Sequence, residues 1–272
     1  MRKAKRQKKK IRIWVLPLLV LILLGVFIRI NTRYWNGKDK IYLVQQNGDG
    51  SVTVKVYDPT LEEVIALQIP GDTEVSVSRN LGTLRLKNVW QLGINEGLGG
   101  KLLTETVTKN FLFPVFLWRG VEGETNLPLG DRLCLKFFDI KTRNSERTEI
   151  DLWKSQFLKK MKLTDGETGY KLQGEMSERL TVYFVNEDLE GKKIYIKDAT
   201  GTAGIGERVG EVIEVMGGKV VTIEKAAPED SDCLVTGDLS KKIARVFSCT
   251  VGKGKTDFDL EVVLGRQFAK RY

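Results

Sequence analysis

The chain has 272 residues, with 44 Lys/Arg against 35 Asp/Glu and no histidine. The missing imidazole excludes Ser-His-Asp and Cys-His arrangements, the commonest zinc ligand and the usual near-neutral acid–base group. The net charge of +9 sits in residues 1–30, which hold nine Lys/Arg and no acid; the rest balances at 35 against 35, which argues against a nucleic-acid surface.

Arg2, Lys3, Lys5, Arg6, Lys8, Lys9, Lys10 and Arg12 lead into IWVLPLLVLILLGVFI, and residues 14–28 carry no charged or amide side chain. As a helix rising about 1.5 Å per residue, residues 11–30 reach about 30 Å, the hydrocarbon thickness of a bilayer. The basic residues before the run predict a cytoplasmic N-terminus, with everything after Thr32 outside. A cleaved signal peptide is the rival. The run ends in Phe27-Ile28-Arg29-Ile30-Asn31, with no small-x-small cleavage site, so an uncleaved signal anchor is expected. Residues 1–10 are then a cytoplasmic basic tail attracted to anionic lipid, and residues 31–40 a short tether.

Past the tether, Ile41–Gln46 and Ser51–Tyr57 read as strands joined by the turn Asn47-Gly48-Asp49-Gly50, and Glu63–Ile69 as a third. Such a meander has an apolar face that needs a cover. Leu84–Leu92 has mixed periodicity. The stretch KLLTETVTKNFLF reads as a helix stopped by Pro114, and Val115–Trp118 as a strand, which together make an α/β (α+β) layer. Arg132–Phe138 suits a strand or short helix, Asp139–Thr148 a solvated loop, and Ile150–Lys160 a helix bearing Leu152, Trp153, Phe157 and Leu158. Residues 164–169 read as a turn and Ser177–Val185 as a short helix.

The C-terminal stretch is clearer. Strands are expected at Lys193–Asp198, Lys219–Glu224, Cys233–Thr236, Phe247–Val251 and Leu260–Leu264, with helices at Glu207–Met216 and Leu239–Val246. Gly217-Gly218 ends the first of these helices. The result is a small βαβ-βαββ unit. Its turn Gly201-Thr202-Ala203-Gly204-Ile205-Gly206 invites a phosphate-loop reading, but the spacing is GxxGxG and no GK[ST] follows. A tight strand–helix connection without cofactor is expected. Cys134, Cys233 and Cys249 are an odd count without CxxC; one Cys233–Cys249 bond or buried thiols both fit.

The segment KIYIKDATGTAGIGERVGEVIEVMGGKVVTIEKA, with Glu261-Val262-Val263-Leu264-Gly265 and Phe268, resembles the C-terminal domain of LytR/CpsA/Psr-type bacterial envelope proteins over residues 192–269. Residues 41–118 are similar to the first half of that family's catalytic domain. Leu67-Gln68-Ile69-Pro70-Gly71-Asp72-Thr73 matches a Ser-Ile-Pro-Arg-Asp-Thr pattern with Gly71 in place of arginine, and Arg85-Leu86-Lys87 stands where Lys-Ile-Asn is expected. The family's Gly-x-Asp-x-Arg segment before the first strand has no counterpart, and no Arg-rich motif is recognisable in residues 120–160, although Arg132, Arg143 and Arg147 are present.

The resemblance implies a degenerate mixed-sheet domain over residues 41–190 and a LytR C-terminal-like domain over 191–272, behind the bacterial membrane anchor. With these departures the expected role is binding or scaffolding near wall-polymer assembly rather than enzymatic activity, with peptidoglycan, wall polymer or envelope proteins as partners, and the charge balance speaks against nucleic acid. Asp72, Arg85 and Lys87 are the candidate catalytic residues and Asp72 the candidate metal ligand, with Arg79 available to extend a basic patch. One alternative is a phosphotransferase that attaches polyprenyl-pyrophosphate-linked glycan to peptidoglycan, with Mg²⁺ as its cofactor. Transcriptional attenuation is another, with about ten cytoplasmic residues, too few for a DNA-reading module.

Overall fold

The computed structural model describes residues 17–26, 34–143, 146–173 and 178–272. Residues 17–26 form helix α1, with Leu18 through Leu24 and Val26 exposed. Among the described residues no helix is long and apolar enough to cross a membrane, and residues 11–16 and 27–30 of the expected span lie outside them. The described residues fall into two compact units: those within 17–37 together with 127–141, and those within 38–126 together with 142–272.

The second unit begins with the expected meander, β1 (Ile41–Gln46), β2 (Val52–Asp58) and β3 (Glu63–Ile69), paired antiparallel. Its first turn is locked by Asp49, whose Oδ1 accepts both the Ser51 N–H (2.9 Å) and the Ser51 hydroxyl (2.6 Å). β6 (Leu117–Arg119) adds parallel to β1 and β7 (Arg147–Asp151) parallel to β3, giving the order β6-β1-β2-β3-β7. Helices α2 (Leu86–Asn95) and α3 (Gly100–Phe111) send Leu86, Val89, Leu102, Leu103 and Val107 into one core with Val44, Val54 and Leu67. A second sheet of order β5-β4-β9-β8 comprises β4 (Thr73–Ser76), β5 (Thr83–Arg85), β8 (Leu158–Lys162) and β9 (Thr168–Leu172).

The expected helix over Ile150–Lys160 is absent; β7, a 3-10 turn at Leu152–Lys154 and β8 take its place. The far edge of β3 offers unpaired amides and carbonyls, and satisfying them through β7 outweighs a weak helical periodicity. Leu152, Phe157 and Leu158 still reach the core, while Trp153 remains 39% exposed. The solvated loop expected up to Thr148 is correspondingly shorter, because β7 already begins at Arg147.

Side chains occupy the core of this lobe. Phe113 stacks on Phe184 at 4.7 Å and on Phe111 at 5.7 Å, and Phe111 meets Phe157 at 6.1 Å. Phe184 arrives from a 3-10 turn after the short α5 (Glu178–Thr181), and its carbonyl accepts the Tyr42 hydroxyl at 2.7 Å.

The C-terminal lobe follows its periodicity. β10 (Lys193–Ala199), α6 (Ile205–Val215) and β11 (Lys219–Lys225) form a parallel βαβ unit. β12 (Cys233–Gly237), α7 (Ser240–Phe247), β13 (Thr250–Val251) and β14 (Leu260–Gly265) complete the order β11-β10-β14-β12-β13. Gly217 ends α6 at φ +96°, a conformation that costs glycine little. A last helix, α8 (Arg266–Arg271), buries Phe268 among Phe247 and Tyr272. Arg208 of α6 donates to the carbonyls of Lys109 (3.1 Å) and Asn110 (3.3 Å) at the end of α3, a cation at a helix C-terminus.

Cys233 and Cys249 are bonded, tying β12 to the segment after α7, and Cys134 lies in the other unit. Closing a 16-residue separation constrains the unfolded chain by about 3 kcal/mol. Cys249→Ala is therefore expected to lower stability by about that amount in denaturant titration. Identical midpoints for the variant and the oxidised parent would contradict it.

In the first unit, Arg132–Phe138 resolves as part of helix α4 (Leu129–Lys141). The buried Asp131 accepts the Tyr34 N–H at 2.7 Å, and Trp35 meets Phe138 edge-on at 5.8 Å.

Candidate functional site

The phrase Pro70-Gly71-Asp72-Thr73 carries the chain from the first sheet to the second. Thr73 closes the turn, its N–H (3.1 Å) and hydroxyl (2.7 Å) both donating to the Pro70 carbonyl. The Lys87 N–H at the start of α2 donates to the Gly71 carbonyl at 2.9 Å. Gly71 faces the β1–β2 turn so closely that a Cβ there would lie 2.4 Å from the Gly50 carbonyl oxygen and 3.1 Å from the Lys87 Cβ. The arginine of the family pattern has no room at this position.

Asp72, Arg85 and Lys87 do come together. Asp72 Oδ1 accepts from Arg85 Nη1 at 2.9 Å and from Lys87 Nζ at 2.6 Å. Arg85 turns the rest of its fork to Asp165, with Nε at 2.7 Å and Nη2 at 3.2 Å. Two cations and two carboxylates thus form a linear row, Asp165–Arg85–Asp72–Lys87, with Lys87 and Asp165 at its exposed ends. The Lys87 and then the Arg85 hydrogen bonds hold the Asp72 carboxyl below its usual range, and Arg85 does the same for Asp165. The Arg85 guanidinium is pushed up, by Asp165 first and Asp72 second.

Beside this row lies an open cleft of about 610 Å³. It is lined by Asn47, Asp49, Gln68, Lys87, Trp153 and Tyr170 among others. Asp72 suits a metal poorly: one of its oxygens already takes two charge-assisted bonds, and those cations would repel a divalent ion. Among the described residues no group of three or more acidic, Cys or His side chains is placed to hold a metal ion.

Arg79 does not join the patch; it forms a two-bond pair with Glu105 at 2.8 and 2.9 Å. The Gly201–Gly206 turn is likewise committed. Buried Asp198 accepts the Gly206 N–H (3.2 Å) through one oxygen and the Thr200 N–H (3.0 Å) and hydroxyl (2.6 Å) through the other. A carboxylate therefore stands where a phosphate would have to approach.

No protein-family model matches the chain, and no curated protein matches it. Solved structures do match. TagT from B. subtilis aligns over 52% of this chain and 88% of its own at 12% identity, TM-score 0.37. YwtF (TagT), a LytR-CPS2A-psr family protein with bound octaprenyl pyrophosphate lipid, aligns over 52% and 87% at 12% identity, TM-score 0.38. The transcriptional regulator yvhJ from Bacillus subtilis aligns over 52% and 92% at 13% identity, TM-score 0.39. The chain is similar to LytR-CPS2A-psr proteins over about half its length.

Around this cleft, sequence reading missed Asp165, Trp153 and Tyr170. Asp165 lies 80 residues from Arg85 and arrives through the β8–β9 turn, because β9 pairs with β4 at Thr73↔Tyr170. The sequence marks it only as part of a Thr-Asp-Gly turn.

The cluster carries a pH signature. Asp72 has its folded-state pKa depressed, so its contribution is present above the unfolded value of about 4 and is lost as pH falls through the folded one. Asp72→Asn is expected to make the acid limb of a melting-temperature profile shallower below about pH 4. The effect is small because the pair is solvent-screened. A steeper acid limb in the variant would contradict this.

Proposed function

We propose that the chain is a bacterial cell-envelope protein, anchored with its N-terminus in the cytoplasm and the rest outside. It binds or scaffolds near wall-polymer assembly without transferring glycan itself. The charge-balanced Asp165–Arg85–Asp72–Lys87 row carries the reading. Transfer from a pyrophosphate concentrates negative charge, and bidentate arginines or metals must meet it. Arg85 already spends its fork on two carboxylates, and Gly71 contributes no side chain.

The cleft instead suits a hydroxyl-rich polymer. Asn47, Gln68 and Asp49 offer amide and carboxylate groups, and Trp153 and Tyr170 offer flat rings. The full chain in detergent is expected to be retained on purified sacculi, with retention reduced by Trp153→Ala. No retention of the parent chain would count against binding, and retention indifferent to Trp153 would move the contact away from this cleft.

A further inference from the structure

Helix α4 carries an apolar stripe turned away from its own unit. Leu129, Leu133, Phe137 and Ile140 recur every three or four residues on one face and are 71%, 42%, 69% and 71% exposed. The opposite face holds buried Asp131 and Leu135, with Phe138 against Trp35. Cations border the stripe on both sides, Arg132 and Lys136 along one, with Asp139 beyond Arg132, and Lys141 along the other. An apolar stripe between basic borders is the pattern of a helix lying in a membrane interface, where long cationic side chains reach the headgroups.

We infer that α4 lies in the interface of an anionic bilayer as a second membrane contact, inserting Leu129, Leu133, Phe137 and Ile140 to a depth of about 5–10 Å. The inference rests on the anchor reading of residues 11–30. Tyr34 and Trp35, which hold α4 by the Asp131 hydrogen bond and the Phe138 contact, follow closely on the end of that run. Five residues of chain span at most about 18 Å, so an inserted run keeps α4 beside the headgroups. Charge selects the occupant: three cations against one acid on the borders complement anionic headgroups, whereas the same face of a second copy would oppose net positive charge to net positive charge.

The test uses the full chain in phosphatidylglycerol-containing vesicles, with Cys134→Ser and a nitroxide attached at Phe137→Cys, Ile140→Cys or, as a control, Leu61→Cys. Leu61 is 66% exposed in the β2–β3 turn. Collision with oxygen is expected to exceed collision with a water-soluble nickel chelate several-fold at 137 and 140, with the reverse at 61. A chain that floats with the vesicles while 137 and 140 collide with nickel as 61 does overturns the interfacial helix and leaves the anchor standing. Failure to float overturns both. Shielding accompanied by label-to-label broadening between chains would assign the face to a second copy and overturn it too.

Discussion

Placing an arginine at Gly71, as in the pattern the sequence resembles, is expected to destabilise the protein by about 2–3 kcal/mol and to confer no glycan transfer. The first atom of any side chain at position 71 would lie 2.4 Å from the Gly50 carbonyl oxygen and 2.8 Å from its carbon. These are backbone atoms, held in the β1–β2 turn by the Gly50 N–H bond to the Asn47 carbonyl (3.0 Å) and by the Asp49–Ser51 bonds. They cannot rotate away as a side-chain tip would, so the turn itself must shift. Gly71→Ala should show most of the loss without the charge, which separates packing from electrostatics. For a unit of this size the shift corresponds to roughly 4–12 °C in melting temperature. An arginine variant as stable as the parent would show that the turn yields, and the departure at Gly71 would then be no barrier to a pyrophosphate site.

The second large effect concerns what occupies the core. Phe113→Ala is expected to cost about 3–5 kcal/mol, the ordinary price of emptying a buried aromatic position. Phe113 is 0% exposed and stacks on both Phe184 and Phe111. The same cluster takes in Val44, Val54 and Leu67 of the meander, so the loss reaches the strands that hold the Asp72 turn. Denaturant titration reads this directly. A cost under about 1 kcal/mol would mean the layer tolerates a void, as a lipid-holding cavity must.

The elements legible in the sequence were those fixed by local pattern. Alternation and the Asn-Gly-Asp-Gly turn mark β1 and β2, and the helical period of Val209, Val212 and Ile213 marks α6 between its strands. Residues 120–190 resisted reading because their strands are defined by partners rather than by their own pattern. β8 (LKKMK) exposes four of its five residues and exists through its pairing with β9. β7 is a strand because β3 has an edge to satisfy. The candidate trio Asp72, Arg85 and Lys87 came from the family-like phrase, and it does converge. What the phrase could not convey was Asp165, which turns a basic patch into a neutralised one. α8 escaped notice because six residues are too few to show a period.

On the proposed reading, the cleft beside Asp72 holds wall polymer while the Asp72 cluster, committed to its own ion pairs, does not react. The most direct measurement is transfer of glycan from a polyprenyl-pyrophosphate carrier to peptidoglycan, with the full chain and Mg²⁺ present. The parent chain is expected to give no transfer above the protein-free control, and Asp72→Asn is expected to match it. Transfer by the parent chain that Asp72→Asn abolishes would contradict the account and make the cluster a working phosphotransferase site.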